Sequence, residues 1–425
     1  MNTKRVTDYL NRNGIKSTYY AVRQHISDGR VDREYDREYK GAQAGGVIDE
    51  KALKRQSGNC LPYKPLISIL VPTYRPEDRY FREMLRSVKA QTYPYFELLL
   101  GTGGGISENT NAALEEAKGD YIALLDQDDF IEPDALYRIA LEINMDAKLI
   151  YTDEDKYDTE KDCYLRPFRK PDFDMDLLLS NNYVCHFLVV RKDIAKKAGG
   201  FRSEYDGAQD HDFILRCAEL LKPDEIAHVR RILYHWRIHK GSTAGDPGEK
   251  DYAHAAGKKA IEDYLKRNGK EAIVSETEHR GFYRVEYYSD SVNEDAYRMY
   301  LGKGIRPMNK GFEARMRAYL EANPDVGAIG GRVIDIMGRV ISAGYERNED
   351  REIVPLYRGM NYRMSGEFHM AKLRRQVDII SNQCMMIRTS LDGCVGSDSG
   401  RMCRKIKDKG YSIVIDPQMV FVKRR

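Results

Sequence analysis

This chain of 425 residues lacks the features that would sort it quickly. It has no apolar run of 18 residues, so nothing in it reads as a membrane-spanning helix. Its opening stretch, MNTKRVTDYLNRNG, has no apolar core of the signal-peptide kind. Seven cysteines, at 60, 163, 185, 217, 384, 394 and 403, form no CxxC pair and no zinc spacing, and reduced thiols are expected. A strong charge of either sign is also missing. The net charge of +3 is small for this length and argues against a protein built around nucleic acid. There is no GK[ST], which excludes a P-loop. The glycine-rich stretch ELLLGTGGGISENTNAAL (97–114) offers Gly101-x-Gly103, but Ile106 stands where GxGxxG needs its last glycine, so a dinucleotide site is poorly supported.

What is present is a soluble globular balance, 42% hydrophobic and 32% charged, on a chain long enough for two domains. Residues 1–60 are polar and rich in Tyr and Arg, and read as one or two short helices and an arm, with a break at GAQAGG (41–46). From residue 61 to about 290, strand-like and helix-like segments alternate. LISILVP (66–72), FELLL (96–100), YIALL (121–125), KLIYTDED (148–155), HFLVVRK (186–192) and ILYHWRI (232–238) read as strands. YFREMLRSVKAQ (80–91), with Phe81, Leu85 and Val88 at helical spacing, reads as a helix. So do SENTNAALEEAKG (107–119, Ser107 as N-cap, Gly119 as stop), EPDALYRIALEIN (132–144), DHDFILRCAEL (210–220) and YAHAAGKKAIEDYLKRNG (252–269). Such alternation predicts an α/β fold with a mostly parallel sheet, and ligands bind beyond the carboxyl ends of its strands. Residues 291–425 are expected to form a third, less regular segment, with strands at 326–335 and 411–416 and a helix at 400–410.

Several acidic groups fall at those strand ends. LLDQDDF (124–130) carries Asp126, Asp128 and Asp129 just past a buried strand. In extended chain Asp126 and Asp128 share a face and could clamp a hard cation and a diphosphate; an acidic turn capping the next helix is the equal alternative. Asp210 and Asp212 open a helix, where a dipole-matching cap is the commoner role and a general base the sharper one. His235 and His239 are four apart on a strand, about 13 Å, too far for one zinc. Trp236 is expected in the core rather than as a sugar platform. The cluster YTDEDK (151–156) is expected to be a solvated loop, with lining of the pocket as the lesser alternative.

Taken in order, KPLISILVPTYRP, YPYFELLL, GGGISENTNAALEEAKGDYIALLDQDDFIEPDAL, YTDEDK, FRKPDFDMDLLLSNNYVCHFLVVRK, GGFRSEYDGAQDHDFILR and LYHWRIHKGSTA resemble the family-2 inverting glycosyltransferases with the GT-A fold. The likeness is to the rhamnosyltransferase-like members that build bacterial surface polysaccharides. The resemblance covers roughly 65–285 and implies roles. Val71, Pro72 and Tyr74 would line a nucleobase pocket. Asp126 and Asp128 match the DxD motif, Asp128 as the metal ligand and Asp126 nearer the ribose. His239 would be a further metal or diphosphate ligand. Asp210 would be the general base, with Gln209 where Glu is common. Gln209, Trp236 and His186 would line the sugar or acceptor pocket. The implied cofactor is Mn²⁺ or Mg²⁺, the donor a UDP- or dTDP-linked sugar, and the acceptor a glycan or lipid-linked glycan. The implied place is the cytoplasmic face of the membrane, with peripheral attachment.

Two departures stand out. The acidic loop that usually follows the family's second strand is replaced by GTGGGIS, and residues 291–425 look like the C-terminal half of a second such domain without its nucleotide half. That segment is read as catalytically silent, serving packing, acceptor binding or assembly. The alternative to an enzyme is a non-catalytic glycan- or partner-binding module.

Overall fold

The computed structural model of the chain describes residues 3–44, 56, 61–239, 250–289, 293–347 and 352–424. They fall into two compact units. The first comprises Asp28–Phe173 and Asn182–Tyr264; the second comprises Met1–Ser27, Asp174–Asn181 and Leu265–Arg425.

The first unit is built on an eight-stranded sheet. Its strands are β1 (Ile67–Pro72), β2 (Phe96–Gly101), β3 (Tyr121–Leu124), β4 (Phe130–Ile131), β5 (Leu149–Asp158), β6 (Cys163–Phe168), β7 (Leu188–Arg191) and β8 (Ile226–Ile238). The order is β2-β1-β3-β7-β5-β8-β4, with β6 paired to β5. β1, β2 and β3 are parallel, and so are β5 and β8, while β7 runs against both β3 and β5. Both groups therefore point the same way, and the sheet is mostly parallel, as the alternation implied. The inward run Ile67, Ile69 and Val71 packs on Met84 and Val88 of the helix Asp78–Lys89 and on Leu136, Ile139 and Ala140 of the helix Ala135–Ile143. The buried stripe of Asp78–Lys89 is Tyr80, Met84 and Val88; Phe81 and Leu85, expected to lead it, sit at its margin.

Three local expectations need correction. The N-terminal segment forms helix Thr3–Ala44, interrupted at Gly14 (φ +74°) and continuous through Gly41; residues 45–46 of the expected break lie outside the described residues. The third helix spans Ile106–Glu116, so Ser107 lies inside it rather than capping it, and Glu108 Oε2 accepts the Gly105 N–H (2.9 Å) instead. The segment expected as a solvated loop, YTDEDK, is the buried half of β5: Asp153, Glu154 and Asp155 are 3%, 8% and 0% exposed. The absence of apolar residues concealed that strand, because its acids are matched by buried cations rather than by water. Asp153 faces His228 (2.8 Å), Glu154 faces Lys170 (3.1 Å), and Asp155 faces His235 (2.6 Å).

The second unit carries a sheet ordered Tyr297–Leu301, Cys384–Arg388, Val326–Ile334, Ser412–Lys423 and Ile305–Pro307. Its central pair, Val326–Ile334 and Ser412–Lys423, is parallel and otherwise flanked by antiparallel neighbours. Helix Ser399–Lys407 closes one core through Met402, Cys403 and Ile406 and is capped by Asp398, which accepts the Arg401 N–H (3.0 Å). The cysteines among the described residues are free thiols. No described helix is long and apolar enough to cross a membrane.

Candidate active site

The carboxyl ends of β1 and β3 lie side by side, because β1 pairs with β3 in parallel register. After β3 the chain turns at once: the Asp129 N–H donates to the Asp126 carbonyl (3.3 Å). Asp126 and Asp128 are thus placed by a turn, not by extended chain as the sequence suggested. Gln127, between them, is the staple. Its Oε1 accepts the Tyr74 N–H (2.8 Å) and its Nε2 donates to the Tyr74 carbonyl (3.0 Å), which ties the acidic turn to the exit of β1. Pro72 closes β1 opposite Gly101, and Tyr74 stands exposed, with the Arg75 guanidinium 5.3 Å from its ring centre. Asp129 is the buried anchor: it accepts from the Arg237 N–H (2.7 Å) and the Tyr234 hydroxyl (2.5 Å), and burial raises its carboxyl well above the ordinary range. Arg237 is itself buried, donating to the Asp128 carbonyl and pairing with Glu83 (2.8 Å).

Two histidines meet the two remaining aspartates. His239 Nε2 lies 2.9 Å from Asp128 Oδ2, and its ring leans on Tyr80. His186 Nε2 lies 3.6 Å from Asp126 Oδ2; its ring stacks on Tyr234 (4.8 Å, 14°) and neighbours Trp236 (5.6 Å). Burial opposes a charge on His186, but Cys185 and Glu154 raise its pKa. Glu154 is held down at about 2 against its own burial by Lys170 and His186. Burial among the site walls, with the charges of Asp128 and Asp210, pushes the Asp126 carboxyl up to about 6, while His186 pulls the other way. The Asp126 side chain keeps 43% of its surface open to water, which moderates this shift.

Asp210 comes from a separate element, the first turn of helix Gln209–Ala218. Its Oδ1 accepts its own helix's His211 N–H (2.8 Å) and its Oδ2 accepts from Asn182 Nδ2 (2.9 Å). The dipole-matching role applies to it in part, and its negative charge helps to raise the Asp126 carboxyl. Asp212 is structural, locked between Arg202 and Arg216. Gln209 turns back to accept the Gly207 N–H (2.8 Å). Trp236 is half-buried at the edge of the core with the Lys156 ammonium 4.0 Å from its ring centre. His235 does not join the site; it is a core residue between Asp155 and Glu132 (3.1 Å). Gln127, Asn182 and Tyr234 were not singled out by sequence reasoning, and Glu154 was singled out only as part of the YTDEDK cluster. Gln127 carried a signal, since an amide between acids at a strand end has backbone partners within reach; the others depend on tertiary contacts.

The glycine stretch is no phosphate cradle. The N–H groups of Gly104 and Gly105 are already taken by Asn109 Oδ1 (2.8 Å) and Glu108 Oε2 (2.9 Å). Gly101 has room for no side chain, because a Cβ there would sit 1.7 Å from the Asn109 carbonyl oxygen. The glycines let the following helix press onto the end of β2.

As to a metal, among the described residues no group of three or more His, Cys, Asp or Glu stands ready to hold an ion. Asp128 and His239 do converge, and a carboxylate oxygen beside an imidazole nitrogen is a donor pair that suits Mn²⁺ or Mg²⁺ when phosphate oxygens complete the shell.

The acids stand beyond the carboxyl ends of strands in a mostly parallel sheet, which is where ligands bind in open α/β sheets. Residues 98–199 match the family described as Glycosyl transferase family 2. The chain is 36% identical over 262 residues to an uncharacterized protein, y4gI, of Sinorhizobium fredii, covering 54% of this chain and 28% of that one. It is 33% identical over 246 residues to the O-antigen biosynthesis protein RfbC of Myxococcus xanthus, covering 51% of this chain and 19% of that one. It thus spans under a third of either relative. Staphylococcus aureus TarS, solved with UDP-GlcNAc, aligns at a TM-score of 0.35 with 15% identity, covering 48% of this chain and 72% of that one.

Proposed function

We propose that the chain is a metal-dependent inverting glycosyltransferase of bacterial surface- or cell-wall-polysaccharide synthesis. It would move a sugar from a UDP- or dTDP-linked donor to a glycan acceptor on a lipid carrier, working peripherally at the inner membrane face. The observation that carries this reading is the convergence of Asp126 and Asp128, from the turn after β3, with Asp210, from a separate helix start. The glycosyltransferase family match over 98–199 and the O-antigen role named for RfbC support the same reading.

In this proposal Asp128 and His239 would hold Mn²⁺ or Mg²⁺, a cation that would supply positive charge for the diphosphate leaving group. Pro72 and Tyr74 flank the base, and Asp126 faces the ribose. His186, Trp236 and Gln209 line the sugar and acceptor side. Asp210 accepts the proton of the acceptor hydroxyl as that oxygen bonds to the anomeric carbon and the bond to the diphosphate breaks on the opposite face. One displacement inverts the anomeric centre. Asn182 keeps Asp210 oriented toward that task. Residues 291–425 are proposed to be a degenerate partial domain without chemistry of its own, and residues 1–60 an N-terminal helical arm to the 61–290 transferase domain.

Asp210→Asn tests the base. Donor binding should stay within about twofold of the parent, while transfer falls by about 10²–10⁴-fold, the usual worth of a general base; retained turnover removes Asp210 from that role. A second reading, a catalytically silent glycan-binding module, is favoured by the packed glycines that stand where an acidic base-binding loop is usual. Absence of any nucleotide-sugar binding in the presence of Mn²⁺ would decide for it.

A further inference from the structure

The second unit holds a cavity of about 400 Å³ lined by His279, Phe282 and His369 among others, and its lining carries as many carboxylates as Lys and Arg side chains. Its charges therefore favour a ligand of neither sign. One corner of the same unit is not balanced in this way.

Four chain segments meet at that corner: 303–310, 335–339, 358–363 and 420–424. The Met308 N–H donates to the Val420 carbonyl (2.8 Å), and the Arg424 N–H to the Gly304 carbonyl (2.9 Å). The Tyr362 N–H donates to the Gly338 carbonyl (2.9 Å), and Ile334, just before the turn at 335–339, pairs with Val422. Lys and Arg number three in the first segment, one in the second and two in each of the others, all exposed; the acids number one, Asp335. Asp335 is already engaged: it pairs with Arg339 (2.7 Å) and accepts the N–H groups of Met337 (2.8 Å) and Arg339 (2.9 Å). The whole chain carries only +3, so this corner concentrates positive charge.

The same corner lifts apolar side chains into water. The turn at 335–339 closes tightly, with the Gly338 N–H donating to the Asp335 carbonyl (3.0 Å), and Ile336 and Met337 at its tip are 73% and 70% exposed. Met308 is 51% exposed and lines the same hollow as Ile336, Met337, Arg363 and Val422. Arg306 stands directly opposite Val422 in an antiparallel pair and so shares its face. Clustered apolar side chains in water, rimmed by polar ones, mark a surface that something covers. An aliphatic tip ringed by Lys and Arg suits a lipid headgroup layer, where the apolar groups pass below the phosphates and the cations meet them. Nucleic acid would leave the tip in water, because its bases stack on aromatic rings.

We infer that this corner docks on an anionic phospholipid bilayer, with Ile336, Met337 and Met308 in the headgroup layer and Arg306, Lys310, Arg363 and Lys423 on lipid phosphates. The inference rests on the peripheral membrane attachment in the reading above and not on its transfer chemistry.

Vesicle co-sedimentation of the full chain, without nucleotide or metal, tests this. Vesicles of phosphatidylcholine mixed with phosphatidylglycerol should bind it at least about tenfold more tightly than phosphatidylcholine alone, and molar salt should release it. Arg306→Gln with Arg363→Gln should weaken binding by about tenfold or more, at roughly fivefold per cation near such a surface. Ile336→Ser with Met337→Ser, both on exposed side chains, should weaken it by about tenfold and leave its salt dependence unchanged. Lys196→Gln with Lys197→Gln, exposed cations of the first unit, should change binding by less than about twofold, since they stand away from the docking corner. No binding to the mixed vesicles, equal binding to both kinds, an unaltered variant at either corner pair, or an equal loss from the Lys196 and Lys197 pair would overturn the inference. Capture by polyglutamate without vesicle binding would also overturn it and put an acidic protein in place of the bilayer. Because the assay contains no nucleotide, its failure leaves donor binding untouched, and a chain that binds no donor can still bind the vesicles.

Discussion

Asp128 and Asp210 illustrate how identical side chains acquire different roles from their neighbours. Asp128 sits 2.9 Å from His239 and keeps 30% of its side chain open to water. Asp210 sits on a helix start with Asn182 as its guide. Removing the first should abolish metal-dependent nucleotide binding, and removing the second should spare it. Gln127 offers a finer test: Gln127→Ala cuts both ties to Tyr74, each of the order of 1 kcal/mol. Steady-state kinetics should show a raised donor KM with kcat changed by less than about threefold. A different residue governs pH stability. His235 is buried, which opposes its charge, but Asp155 and Glu132 raise its pKa to about 10. Its folded pKa lies above the unfolded value of about 6.5, so this stabilisation is complete below pH 6.5 and is lost as pH rises toward 10. Asp155→Asn should lower stability at pH 6 and flatten its decline between pH 6.5 and 10, as read from denaturant midpoints.

At the scale of elements, the tightest constraint lies where β2 meets the helix Ile106–Glu116. Gly101→Ala would drive a methyl into the Asn109 carbonyl, so the strand and helix must part. A loss of about 1–3 kcal/mol in urea unfolding is expected, the usual cost of overpacking. Elements with a plain apolar period were legible in the sequence: β1, β2, β3 and the helices between them fall within a few residues of their expected bounds. β5 was legible at its apolar start, KLIY, but its acidic half was not, because Asp153, Glu154 and Asp155 look like a solvated loop until His228, Lys170 and His235 are brought beside them by distant segments. The acidic turn was legible as a candidate but not in its geometry. Its shape depends on Gln127 and on Arg237, whose partners lie far along the chain. The glycine stretch, a poor dinucleotide site by its spacing, has the N–H groups of Gly104 and Gly105 occupied by the first turn of its own helix.

At the scale of the whole molecule, the turn that carries Asp126 and Asp128 lies in one unit, and a cavity lined by His279, Phe282 and His369 lies in the other. The central claim concerns the first. It holds that a nucleoside diphosphate binds beyond the ends of β1 and β3 through a metal on Asp128. The measurement that tests it most directly is calorimetric titration of the full chain with UDP and with dTDP, each with and without Mn²⁺, on the parent and on Asp128→Ala. The account predicts binding of at least one nucleotide that needs Mn²⁺ and weakens by about 100-fold or more in the variant. Failure of both nucleotides to bind the parent, or equal binding by parent and variant, would contradict it.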